Sequence, residues 1–142
     1  MSITYSLQRF IDAQENVYPT ALSEIRNGRK RSHWMWFVFP QIAGLGFSPT
    51  SKLYAIKNIE EAAAYLQHPV LGKRLNDISK ELLKVENNNA YSIFGSPDDI
   101  KLQSSMTLFS SVRNSEKVFG LVLQKYFNGK KDFHTLKILD NQ

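Results

Sequence analysis

The chain contains no cysteine in 142 residues, so no disulfide framework, zinc ribbon or thiol nucleophile is available to it. Histidine occurs only at 33, 68 and 134, without metal-ligand spacing or an HExxH pair, and no metal or other cofactor is expected. No Gly-x-Ser-x-Gly elbow surrounds any serine. The Walker pattern is missing, and the dinucleotide-like start Gly44-Leu45-Gly46 meets Pro49 where its third glycine would fall. Apolar runs are short, far below the roughly 20 residues that cross a bilayer. Met1-Ser2-Ile3-Thr4-Tyr5 lacks the basic and apolar regions of a secretory leader. These absences predict a cytoplasmic protein with no membrane partner. Repeats, linkers and low-complexity tracts are also missing, so residues 1–142 are expected to form a single domain.

What is present is ordinary in bulk, at 42% hydrophobic and 22% charged residues, and uneven in detail. The net charge is +5, which favours phosphate-bearing partners. The cations fall into two clusters, Arg26, Arg29, Lys30 and Arg31, then Lys125, Lys130 and Lys131. Both also suit solvated helix ends, where cations complement the helix dipole.

Periodicity is helical nearly throughout. Leu7, Phe10, Ile11, Gln14, Val17 and Tyr18 form one face of a first helix. Gln14 stands out on that face, because a buried amide must bond to backbone or to a ligand. Pro19 opens a second helix that Gly28 stops. Residues 33–39 read as a short helix or a strand, with helix favoured by the rest of the chain. Pro40 to Lys52 carries loop signals: two glycines, prolines and hydroxyl residues. Asn58 caps a helix with Glu60 and Glu61 in its first turn, and His68-Pro69 starts another along Leu71, Leu75, Ile78 and Leu82. Ser96 reads as the N-cap of a helix with Pro97 at its first position. Asn114 or Ser115 caps the next, whose apolar residues from Val118 to Tyr126 predict a central position. Phe133, Leu136 and Leu139 suggest a last short helix. The expected fold is therefore all-α, a compact bundle of about seven helices with a Gly/Pro/Ser loop in its first half.

The densest segment runs from Arg29 to Gln41 and holds both tryptophans, a histidine and three cations in thirteen residues. Cations beside large rings suit planar anionic ligands, since rings stack on bases and ammonium or guanidinium groups pair with phosphate. Arg29, Lys30, Trp34, Trp36 and Gln41 are the first candidates for such a site. Gln14, Tyr18, His33 and the loop hydroxyls of Ser48 and Ser51 extend it. Lys101, Ser104 and Ser105 share one side of a helix, either as a polar pocket wall or as small residues for close packing. Asp98 and Asp99 complement a helix dipole, or act as acid or base.

The string from Gly28 through Arg29-Lys30-Arg31-Ser32-His33-Trp34-Met35-Trp36-Phe37-Val38-Phe39-Pro40-Gln41 to Gly46 closely resembles the signature of domain-of-unknown-function family 1810. The likeness continues through Ala13-Gln14, Tyr18, Ser51, Tyr54, His68-Pro69 to Leu75, Ile93-Phe94-Gly95 and Asp99 to Phe109. It implies a small, mainly helical domain and carries no activity with it. A fainter likeness, in His68-Pro69, Leu71, Leu75, Leu83 and Ile93-Phe94-Gly95, is to the NADAR superfamily. That likeness implies ligands of the ADP-ribose type and N-glycosidic bond hydrolysis, although the glutamate typical of NADAR has no counterpart here beyond the nearby Gln14.

The leading expectation is binding of a phosphorylated nucleotide-like ligand, ADP-ribose-derived or a related N-glycoside. If the site hydrolyses it, His33 and Asp99 are the acid/base candidates. Two alternatives stay open: a nucleic-acid-binding module using the basic clusters, and an interaction protein in which Trp34 to Phe39 is only core.

Overall fold

The computed structural model describes residues 6–142, so Met1 to Tyr5, where no secretory leader is expected, lie outside the described residues. Ten helices follow in order: α1 (Gln8–Gln14), α2 (Tyr18–Arg26), α3 (Met35–Val38), α4 (Pro49–Leu53), α5 (Ile59–Gln67), α6 (Leu71–Lys84), α7 (Ala90–Phe94), α8 (Asp98–Ser110), α9 (Val118–Phe127) and α10 (Phe133–Asp140). The class is all-α, and the helix count exceeds the expected seven. The additions are short. α4 forms inside the predicted loop because Ser48 accepts from the Ser51 N–H ahead of Pro49, and α7 forms because Asn89 accepts from Ser92. Four- and five-residue helices carry too little periodicity to be read from sequence.

Several boundaries follow their sequence signals. Asn58 caps α5 through the Glu61 N–H. Beyond α2, Gly28 adopts φ +76°, which lets its N–H reach Ile25 and the Arg29 N–H reach Glu24. The start of α8 differs from expectation: Pro97 sits at the cap position, no side chain caps it, and Ser96 lies outside. Neither Asn114 nor Ser115 caps α9, which begins after Lys117 without a side-chain cap. Asp132, by contrast, caps α10 at the Thr135 N–H.

α8 is the central helix, not α9. Leu121 on α9 remains 52% exposed, whereas α8 buries seven residues between Leu102 and Phe109 and packs most heavily on α9. Its polar residues hide this from the sequence. Thr107 Oγ1 donates to Gln103 O, and Ser104 Oγ contacts Ile100 O and Asp132 Oδ2, so these hydroxyls enter the core already satisfied. From α8, Phe109 meets the rings of Tyr65 and Phe119 at 5.3 and 5.9 Å, and Phe10, Trp34 and Phe39 are likewise fully buried in the core. The helix pair α5–α6 meets at Gly72, where a Cβ would stand 2.1 Å from the Leu66 carbonyl oxygen. No larger residue fits that crossing.

The stretch between α3 and α5 is closed at its base by a single parallel bridge. Ile56 N–H donates to Gln41 O and Ala43 N–H to Ile56 O, both at 2.8 Å. The loop and α4 stand above that bridge, and the space between them faces Trp36.

Candidate functional site

The two tryptophans separate cleanly. Trp34 is fully buried, and its Nε1 donates to Glu24 Oε1 at 2.8 Å. That glutamate, on α2, also accepts from the Arg31 and Ser32 N–H groups and the Ser32 hydroxyl. Burial works to raise the Glu24 pKa, yet these hydrogen bonds prevail and hold it at about 2, against a usual 4.5. Glu24 therefore ties the basic loop to the core. No open ring face is left on Trp34 for a ligand.

Trp36, on α3, is half-buried and walls a cavity of about 140 Å³ with Gln41, Gly46, Ser51, Lys52 and Tyr54. The bridge at Ile42 and Ile56 holds the two sides of this cavity in place. Gly46 lies in its wall, where an added Cβ would stand 2.5 Å from the Ser51 Cβ. Ser51 and Ser48 join through their hydroxyls at 2.9 Å. Among the described residues, the side chains of Gln41 and Lys52 make no hydrogen bond or ion pair within the protein. They are free to meet something in the cavity.

Behind the indole lies a cation cluster. Lys101, on α8, places its Nζ 5.0 Å from the Trp36 ring centroid, and Lys30 places its own 5.1 Å from Trp34. Both reach Asp98, at 3.4 and 2.9 Å. The carboxylate that joins the site is thus Asp98. Asp99, the sequence candidate, has Oδ1 accepting from the Ile100 N–H.

The remaining candidates lie elsewhere. Gln14 is buried and fully engaged: Nε2 donates to Phe37 O at 2.6 Å and is 2.9 Å from the Tyr65 hydroxyl, while Oε1 accepts from Arg74. Of the two partners weighed for that amide, backbone and ligand, the protein itself supplies all. Tyr18 donates to Arg74 O, and burial with the Asp77 carboxylate pushes its pKa up to about 12. His33 and Arg29 are exposed, and His33 does not line the Trp36 cavity. Arg29 and Lys30 instead border a separate open depression with Tyr91 to Gly95. Ser105 is buried with its hydroxyl unpaired. In the second basic cluster, Lys125 is directed inward, donating to the carbonyls of Leu82, Leu83 and Val85 at the end of α6. Sequence reasoning missed Tyr54 and Gly46, and raised Asp98 only beside Asp99 as a dipole complement or acid/base, not as the ion-pair partner of two lysines. Gly46 and Lys52 stood in the flagged loop, but only the bridge and α4 turn them toward Trp36.

Among the described residues no group of three or more His, Asp or Glu side chains is placed to hold a metal ion, and no helix is long and apolar enough to cross a membrane.

The chain belongs to the family described as Protein of unknown function (DUF1810), whose model matches residues 4–139. A solved relative, the conserved hypothetical protein Rv1873 from Mycobacterium tuberculosis, is 47% identical with a TM-score of 0.94. The match covers 96% of this chain and 97% of that one. No curated protein matches the chain. The fainter NADAR likeness receives no support from these comparisons.

Proposed function

We propose that the Trp36 cavity binds a small, phosphorylated, nucleotide-like ligand through one planar group. The observation that carries the reading is the convergence of a solvent-reaching indole with a cation and uncommitted polar groups. Gln41, Ser51 and Lys52 line the space that Trp36 walls. A planar group stacks on Trp36, Gln41 reads its polar edge, and the phosphate meets Lys52. Size sets a limit. Pockets that enclose a drug-sized ligand span roughly 300–1,000 Å³, so a cavity of about 140 Å³ takes a ring and leaves the rest outside. A whole ADP-ribose would lie mostly on the surface, whereas a mononucleotide or one end of a larger ligand fits.

Binding, not hydrolysis, is the reading offered, because neither His33 nor Asp99 lines this cavity. The nucleic-acid alternative loses weight from the same geometry: Arg26, Lys30, Lys101 and Lys125 all hold partners inside the protein. Titration calorimetry with AMP, ADP, ADP-ribose and NAD, with adenosine as the uncharged control, tests the proposal. Saturable binding of a phosphorylated compound that is lost in Trp36→Ala supports it. Absence of heat from all of them, or equal binding by the variant, overturns it.

A further inference from the structure

A second cavity, of about 270 Å³, opens where the end of α5, the middle of α6 and the turn between α8 and α9 meet. It shares no lining residue with the Trp36 cavity. Its polar lining is Gln67, Asn76, Arg113, Asn114, Ser115 and Glu116. Among the described residues, none of these side chains makes a hydrogen bond or an ion pair within the protein. Arg113 and Glu116 carry opposite charges at the rim of one cavity, yet they do not pair with each other. Asn76, on α6, is half-buried, and its Oδ1 is shut off from water with no partner. Buried amide oxygens are almost always bonded, and a bare one is costly. The amide turns readily about its last side-chain torsion, so either end can face the cavity. Leu66, Val112 and Phe119 add an apolar surface beside these groups.

We infer that this cavity binds a small zwitterion of the α-amino acid class with an apolar side chain. Its carboxylate pairs with the Arg113 guanidinium and its ammonium with Glu116. One ammonium N–H goes to the Asn76 amide oxygen and satisfies the orphaned acceptor. The two protein charges cancel, so a net-neutral ligand leaves the complex neutral. A quaternary ammonium fails because it has no N–H to give. A phosphate dianion fails because its second charge faces Glu116 with no cation to meet it. The apolar side chain lies on Leu66, Val112 and Phe119. The volume falls below the roughly 300–1,000 Å³ of pockets for drug-sized ligands, which suits a single amino acid. Unpartnered Asn76 lowers the stability of the free protein, and binding offsets that loss.

Amide NMR of the full chain, titrated with L-leucine, L-methionine and L-phenylalanine, tests the inference. With at least one of them, resonances of Val112 to Phe119 and the Asn76 side-chain amide should shift saturably, while those of Gly44 to Tyr54 stay still. Three derivatives of the best binder then isolate its groups: the N-acetyl form lacks the ammonium, the carboxamide lacks the carboxylate, and the N-trimethyl form lacks only the N–H donors. Each should bind at least about tenfold more weakly, the weight of one lost hydrogen bond to a charged group. Asn76→Leu should abolish binding and raise the melting temperature of the free protein by about 2–6 °C, because an apolar group of similar shape replaces the orphaned acceptor. Arg113→Gln, at an exposed position, should weaken the amino acid and leave its carboxamide unchanged. No shift with any of the three amino acids at tens of millimolar overturns the inference. So does equal binding of the derivatives, a lower melting temperature in Asn76→Leu, or an equal loss of amino acid and carboxamide in Arg113→Gln.

Discussion

Replacing Glu24 by alanine removes the one acceptor that serves the Arg31 N–H, the Ser32 N–H, the Ser32 hydroxyl and Trp34 Nε1, at 2.7 to 3.1 Å. Hydrogen bonds to a charged group contribute roughly 1.5–3 kcal/mol each, and a buried donor left unpaired costs about 1–3 kcal/mol. The four bonds share one carboxylate and do not add. The Ser32 groups and the Arg31 N–H lie where water replaces the acceptor, but buried Trp34 has no such substitute. The expected loss for Glu24→Ala is about 3 kcal/mol, and for Glu24→Gln, which keeps one carbonyl acceptor, about 1–2 kcal/mol. Urea unfolding at neutral pH measures both, and near-UV circular dichroism reports Trp34. The pH dependence has a fixed sign. The carboxyl is held at about 2 when folded against 4.5 when free, so its contribution is complete above 4.5 and is lost as pH falls toward 2. The stability gap between wild type and Glu24→Gln should be constant above that window and shrink within it. A Glu24→Ala variant within about 0.5 kcal/mol of wild type, or a gap indifferent to acid, would refute the reasoning.

Two glycines separate space from conformation. Gly72→Ala drives a methyl into the Leu66 carbonyl and should lose 2 kcal/mol or more, about the upper range for overpacking, while Gly120→Ala meets nothing within 4 Å on an exposed helix face and should gain about 0.5–1 kcal/mol. Thermal melts distinguish them, and equal effects would contradict the packing. Gln14→Leu strips the partners from Phe37 O and the buried Tyr65 hydroxyl and should cost about 2–3 kcal/mol, without changing ligand affinity in the protein that remains folded. Lys125→Met removes the donor to three carbonyls at the end of α6 and should destabilise by about 1–2 kcal/mol; a melt unchanged from wild type would show that water replaces it.

The fold class was legible because α2, α5, α6 and the last helices show plain 3.6-residue periodicity, with Asn58, Gly28 and Gly129 at their ends. The central role of α8 was not. Its buried face carries Ser104, Ser105 and Thr107, which read as polar in the sequence although Ser104 and Thr107 are satisfied by bonds within the fold. The segment from Arg29 to Gln41 stood out in the sequence, but its residues do not act together. Glu24, ten residues before Trp34, turns that ring and the basic loop inward, and only Trp36 and Gln41 face the cavity. Asp98 joins Lys30 across 68 positions of chain, and no local spacing announces that pairing. Gln14 was recognised as a buried amide needing partners. Which partners it finds depends on where α3 and α5 pass, and that is a tertiary fact.

Titrating the protein with a panel of phosphorylated nucleotides, while following Trp36 fluorescence, tests the central claim most directly. A saturable change is expected in wild type, smaller or absent in Lys52→Met and abolished in Trp36→Phe, with Trp34 signalling that the fold is intact. A saturable change that survives in Trp36→Phe, or none in wild type at millimolar ligand, would contradict it.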